Sequence, residues 1–349
     1  MLWQKAIGAK IAAGGTASYY VAVAHSNSPY VTAYPWSDTT GFGAKFSNPA
    51  TLPTGVGRRV AFSPSGNAIA VAHDTSPYIS VYPWSSSGFG TKYSNPTTLP
   101  GGNARGIRFS PAGDALAVAN LNASPYVHAY AWSSSGFGSK FSNPTTLPPG
   151  SGRDVGFTPS GDAIAVGNDN SPLVNVYPWS SSGFGTKFSS PGLLPTPSAL
   201  GVKFSPTGNA IALACFNSPY VAAYPWSSSG FGTRFSNPAT LPTGGGFMVD
   251  FSPAGTELAV AHTNPPFVTA YPWSSSGFGT KFANPTSLPS SNGNYLSFSP
   301  TGVALALATL DSPFVCAYSW SSSGFGSKYS DPATLPAGAG NGIAFGTIT

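Results

Sequence analysis

A single closed, all-β ring of seven four-stranded antiparallel blades is the fold class that this 349-residue sequence predicts, and three observations predict it. The first is a period. Trp36, Trp84, Trp132, Trp179, Trp226, Trp273 and Trp320 stand 47 or 48 residues apart, and Phe62, Phe109, Phe157, Phe204, Phe251, Phe298 and Phe345 keep the same spacing. Self-similarity at this length marks a β-propeller blade. The second is alternation of size rather than polarity. In NAIAVAH (67–73), Ile69 and Val71 share one face and Ala68, Ala70 and Ala72 the other, so both faces must be buried between neighbouring sheets. The third is the pair of incomplete repeats. SYYVAVAH (18–25) is a second strand with no first, and NGIAFGTIT (341–349) is a first strand with no second. Pairing the two closes the ring and leaves no sheet edge open to aggregation.

Taken in order, residues 1–17 are predicted as a surplus N-terminal arm. Trp3, Ile7 and Ile11 fall at i, i+4 and i+8, one apolar stripe on a short helix with Lys5 and Lys10 beside it, and are expected to anchor the protein in a larger assembly. Blade 1 combines 18–56 with 340–349, followed by blades 2 (57–103), 3 (104–151), 4 (152–198), 5 (199–245), 6 (246–292) and 7 (293–339). Within blade 2, GRRVAF is the inner strand A, ended by a Pro-Ser-Gly turn, and AIAVAH is strand B. DTSP turns into strand C, YISVY, whose regular pairing should stop at Pro83 because proline has no N–H to donate. SSSGFG is expected as a loop, and TKYSNPTTLP as a short outer strand D broken by Pro96.

Composition narrows the function classes. Charged residues make up 7% of the chain, far below the ~25% usual in soluble proteins. The net charge of +5 reflects a shortage of acids rather than a basic run, so nucleic acid is not an expected partner. No apolar run is long enough to span a membrane, and the first residues lack the core of a signal peptide. Cys215 and Cys316 lie in blades that are not neighbours, which argues against a disulfide and offers no metal-ligand spacing. Neither a metal site nor a cofactor is expected. Acids are few, and Asp154, Asp250 and Glu257 share no register, so no catalytic residues are expected either.

The FSPxG turn followed by an aliphatic strand, as in FSPSGNAIAVAH and FSPTGNAIALAC, resembles the WD40-like seven-bladed propeller superfamily over residues 18–349. The Trp-Asp and Gly-His pairs of that superfamily are missing, since each strand C ends in Trp-Ser, and its Trp-Ser-His-Asp hydrogen-bond network is therefore not implied. The low charge and near-verbatim YPWSSSGFG units resemble propeller proteins of bacteriophage virions. What that resemblance implies is a non-enzymatic structural or adhesion protein of a virion, contacting other virion subunits, or otherwise a cytoplasmic one. The alternative expectation is a multivalent glycan-binding propeller that uses its Tyr-Pro-Trp segments.

The two faces of such a ring carry different information. The A–B and C–D loops are nearly invariant, and they place Lys45, Lys92, Lys140, Lys187, Arg234, Lys281 and Lys328 in a sevenfold ring. The D–A loops on the other face differ in every blade, and there Arg58, Arg59, Arg105 and Arg153 cluster in three consecutive blades with Arg108 nearby on an inner strand. These five arginines are the candidate binding residues, with an anion-binding or catalytic channel as a third functional possibility. His25, His73 and His262 share the end of strand B, where they are expected to satisfy the B–C turn, and His128 is expected to be buried in strand C. Lys203 and Asp250 hold one inner-strand position in neighbouring blades and are expected to form an ion pair.

Overall fold

A computed structural model describes residues 19–194 and 198–347, and the predicted arm with Trp3, Ile7 and Ile11 lies outside the described residues. The chain forms seven four-stranded antiparallel sheets around one axis. In blade 1 the strand Gly340–Thr347 pairs with Tyr19–His25, with Val21 opposite Phe345 and Val23 opposite Ile343. The ring is therefore closed by strands more than 300 residues apart in sequence, as the incomplete repeats require.

Strand B is buried on both faces in every blade, as its size alternation demands; Ala68–His73 has no exposed position. What holds one blade to the next is an aromatic contact repeated around the ring. Each tryptophan packs edge-on against an aromatic ring of the preceding blade, from Trp84 on Phe46 at 5.2 Å to Trp36 on Tyr329 at 5.0 Å, the latter across the closure. Such pairs add about 0.5–1.5 kcal/mol each beyond area burial. The strand C tyrosines are fully buried, and in every blade but the third, where the Tyr130 hydroxyl has no partner, their hydroxyls donate to carbonyls of the preceding blade, Tyr34 to Thr334 at 2.7 Å and Tyr82 to Thr51 at 2.8 Å. Tyr82→Phe should cost about 1–2 kcal/mol by leaving the Thr51 carbonyl without that donor; a urea titration that moves less than about 0.3 kcal/mol would contradict this.

Two local expectations are corrected. Strand C runs on through Pro83 to Ser85. Trp84 N–H still donates to Asn67 O on the strand B side, while Pro83 O accepts from Gly90 N on the outer side, so the missing proline N–H faces the poorly paired edge where it costs little. The outer strand is also displaced. It is the Gly-Phe of the supposed loop, Gly88–Phe89 in blade 2, extended to Gly136–Lys140 and Gly324–Lys328 in blades 3 and 7. The TKYSNP segment after it is irregular, tied back to strand C by Tyr93 N to Val81 O at 2.9 Å.

Candidate active site

The inner strands ring the axis, and each carries one irregularity. In every blade the pairing of strand A with strand B slips around the second residue of strand A, between Gly57 and Arg59 in blade 2 and likewise in the other six. A β-bulge leaves its extra residue unpaired and re-aims its side chain. The seven bulged residues are Arg58, Arg105, Arg153, Leu200, Phe247, Asn294 and Asn341, and all of them line one cavity of about 370 Å³ at the channel mouth on the variable face, except that Arg59 adds a further wall. A repeated backbone device thus delivers seven side chains of four kinds to one place.

In blades 2 and 4 the residue that follows strand B partners the bulged arginine. Asp74 holds Arg58 in a fork, with Nε at 3.0 and 2.9 Å from its two oxygens, and Asp169 holds Arg153 at 2.7 and 2.6 Å. In blade 3 that position is Leu121, so Arg105 has no carboxylate of its own blade and reaches only Asp74, at 3.7 Å. Burial first, then repulsion from Arg58, lowers the Arg105 pKa to about 10. Four guanidiniums against two carboxylates leave the mouth with two positive charges in excess. Among the described residues, Nε of Arg59 and Nε of Arg105 are buried donors with no hydrogen-bond partner.

Beneath the mouth the channel is plugged. The Arg59 guanidinium lies 4.5 Å from the centre of the Tyr295 ring, and Arg108 donates to the Tyr295 hydroxyl. Asp154 is fully buried and accepts from Val202 N at 3.3 Å. Burial pushes its carboxyl up against the opposing pull of Arg108 and Arg59, and burial raises the Tyr295 phenol to about 12. Room for these long side chains comes from glycines at the same strand position in alternate blades. A Cβ on Gly106 would stand 2.7 Å from Asp154 Cα, and one on Gly342 2.9 Å from Arg59 Cα. Below the plug a second chamber of about 190 Å³ opens towards the invariant face, lined by Arg108, Tyr295, Lys203 and Asp250 among others. Lys203 and Asp250 form the expected ion pair, at 2.8 Å.

Of the candidate arginines, then, Arg58, Arg59, Arg105 and Arg153 share the mouth, while Arg108 lies deeper, on the far side of the plug. Asp154 and Tyr295 were not singled out as site residues. The available signal was a charged or phenolic side chain at a position that is glycine in three sister blades. The other repeated groups are committed to structure. Lys92 is clamped to Asn95, and its counterparts bond the residue three further on. His25, His73 and His262 bond strand C hydroxyls, Thr32 at 2.9 Å, Ser80 at 3.1 Å and Thr269 at 2.9 Å, rather than the B–C turn alone. His128 is buried and accepts from Gly101 N at 3.4 Å. Both cysteines are buried, and neither forms a disulfide. No helix among the described residues is long and apolar enough to cross a membrane.

No family model matches the chain, and no curated protein matches it. Solved structures do. A candidate 6-phosphogluconolactonase from Bacteroides fragilis superposes with a TM-score of 0.77 at 13% identity, covering 94% of this chain and 98% of that one. The periplasmic gluconolactonase of Pseudomonas aeruginosa gives 0.74 at 17%, covering 95% and 100%. A candidate 6-phosphogluconolactonase from Bacteroides uniformis gives 0.70 at 14%, covering 94% and 99%. The likeness is one of fold.

It nevertheless overturns the expected non-enzymatic virion role, because propellers matching almost end to end carry the names of enzymes. The finer resemblances, to WD40-like and to bacteriophage propellers, gain no support from them. The structure also removes the physical ground for excluding chemistry. Asp154 and Asp250 have different registers in their strands, yet both converge on the axis, because the third and fifth residues of strand A lie along the channel. The Tyr-Pro-Trp aromatics, in turn, are buried between blades and offer no face to a sugar.

Proposed function

We propose that this propeller takes a sugar-sized anion into the mouth of its channel and hydrolyses an internal ester, a lactone, there. The observation that carries the reading is the arginine arc of blades 2 to 4, with its excess of positive charge. A cavity of about 370 Å³ suits a ligand of that size. The lactonase names of the fold neighbours support the choice of reaction.

In this reading Arg105 and Arg153 bind the phosphate or carboxylate of the substrate, as planar forks suited to such groups. Arg59, at the floor, donates to the carbonyl oxygen as it gains charge. Asp74, on which Arg58 and Arg105 converge, accepts a proton from the attacking water. The water oxygen bonds to the carbonyl carbon, the ring C–O bond breaks, and the leaving alkoxide takes up a proton to give the open-chain hydroxy acid.

The test is hydrolysis of 6-phosphoglucono-δ-lactone and glucono-δ-lactone, followed by acid release above the spontaneous rate. Arg105→Ala should lower kcat/KM for the phosphorylated lactone by about 10- to 100-fold, the worth of one charge-assisted contact. No rate above background with either lactone would refute the reaction. Absence of 6-phosphogluconate binding at millimolar concentration would refute the site.

A further inference from the structure

The mouth is not cationic all the way round. Opposite the arginine arc, blades 5 and 6 present Leu200 and Phe247 at the bulged positions, with Leu310 beside them, and the B–C loop of blade 5 sets Phe216 against Phe247 at the cavity's edge. Phe216 is 45% exposed and Leu310 44% exposed. The chain otherwise locks its rings between blades; Phe216 is the one aromatic among the strongly exposed large apolar side chains of the described residues. It sits 6.1 Å from the Phe247 ring, tilted by 52°, so the two make an adjoining pair on one rim. Phe216 occupies the place where blades 2 and 4 carry Asp74 and Asp169. The loop position that supplies a carboxylate on one side therefore supplies an aromatic ring on the other.

A bare phosphosugar would present hydroxyls to this second arc, which has no donor or acceptor side chain on Leu200, Phe247, Phe216 or Leu310 to receive them. Polar side chains reappear only at Asn292, Asn294 and Asn341, and two of these are already engaged. Asn294 donates to Gly340 O at 2.8 Å and Asn341 to Gly57 O at 2.9 Å. We infer that the mouth selects anions that carry a flat apolar portion, with the charged group held by the Arg105 side and the apolar portion laid on Phe247 and Phe216. This rests on the reading of the mouth as an anion site and specifies the class of ligand it prefers. Burial of apolar area on the second arc supplies affinity that a purely polar sugar cannot draw from it.

The experiment is calorimetric titration of the full chain with 1-naphthyl phosphate, glucose 6-phosphate and inorganic phosphate. Naphthyl phosphate should bind at least tenfold more tightly than glucose 6-phosphate. Phe247→Ala should narrow that difference severalfold, and Phe216→Ala, a change at an exposed position that folding tolerates, should narrow it as well. Arg105→Ala should weaken naphthyl phosphate and glucose 6-phosphate alike. Equal affinity of the wild-type chain for naphthyl phosphate and glucose 6-phosphate overturns the inference while leaving the arginine site standing. Failure of all three to bind overturns both.

Discussion

Removal of residues 340–349 should make the protein associate and lose its cooperative melt. The deleted strand pairs along the whole of Tyr19–His25, so its loss leaves a row of unpaired backbone groups facing the channel. It also takes away the buried Ile343, the Phe345 ring that packs at 5.2 Å on Trp36, and the Asn341 carbonyl to which Arg59 donates. Emptying the Ile343 site alone is worth about 2–5 kcal/mol. Size-exclusion chromatography with light scattering should show association, and any residual melting transition should fall by more than about 10 °C. A monodisperse truncated chain with an unchanged melt would show that closure contributes nothing.

Acidification should unfold the protein through its histidines. Burial lowers His25, His73, His128 and His262 from 6.5 to about 4. Protonation would demand a second partner at each ring, and Nδ1 of His25, His128 and His262 has none. The folded pKa lies below the unfolded one, so the stabilisation is complete above about pH 6.5 and is lost as pH falls towards 4. A difference of that size amounts to roughly 3 kcal/mol per histidine, on the order of 10 kcal/mol for the set as an upper range. Asp154 acts with the opposite sign, since burial raises its carboxyl, but it is a single group. Urea midpoints measured from pH 7 to pH 4.5 should fall steeply. The triple variant His25→Asn, His73→Asn, His262→Asn, which imitates Asn120 and Asn168 in blades 3 and 4, should flatten the slope. A wild-type profile that is already flat over this range would contradict the assignment.

The candidate site was legible in part, and the boundary has a physical cause. Arg58, Arg105 and Arg153 stand out because they interrupt a repeat at its variable loops, and a closed ring brings neighbouring blades together in order. Asp154 and Tyr295 are not evident from the repeat because Asp154 meets Arg59, and Tyr295 meets Arg59 and Arg108, between blades that are not neighbours in the chain. Their convergence depends on the ring's curvature, which no single strand encodes. The outer strand was misplaced for a smaller reason. Gly88 and Phe89 read as a glycine loop, yet Phe89 packs 4.9 Å from Trp84, and that contact draws the pair into the sheet.

The sequence by itself determined the number of blades, the doubly buried strands and the closure between Tyr19–His25 and Gly340–Thr347, because these follow from periodicity and from local alternation of size. Only the tertiary structure decided where charge gathers. Seven bulges and the radius of the ring turn residues scattered along the chain into one cationic arc, one apolar arc and a buried plug, and such proximity belongs to the circle rather than to any repeat within it.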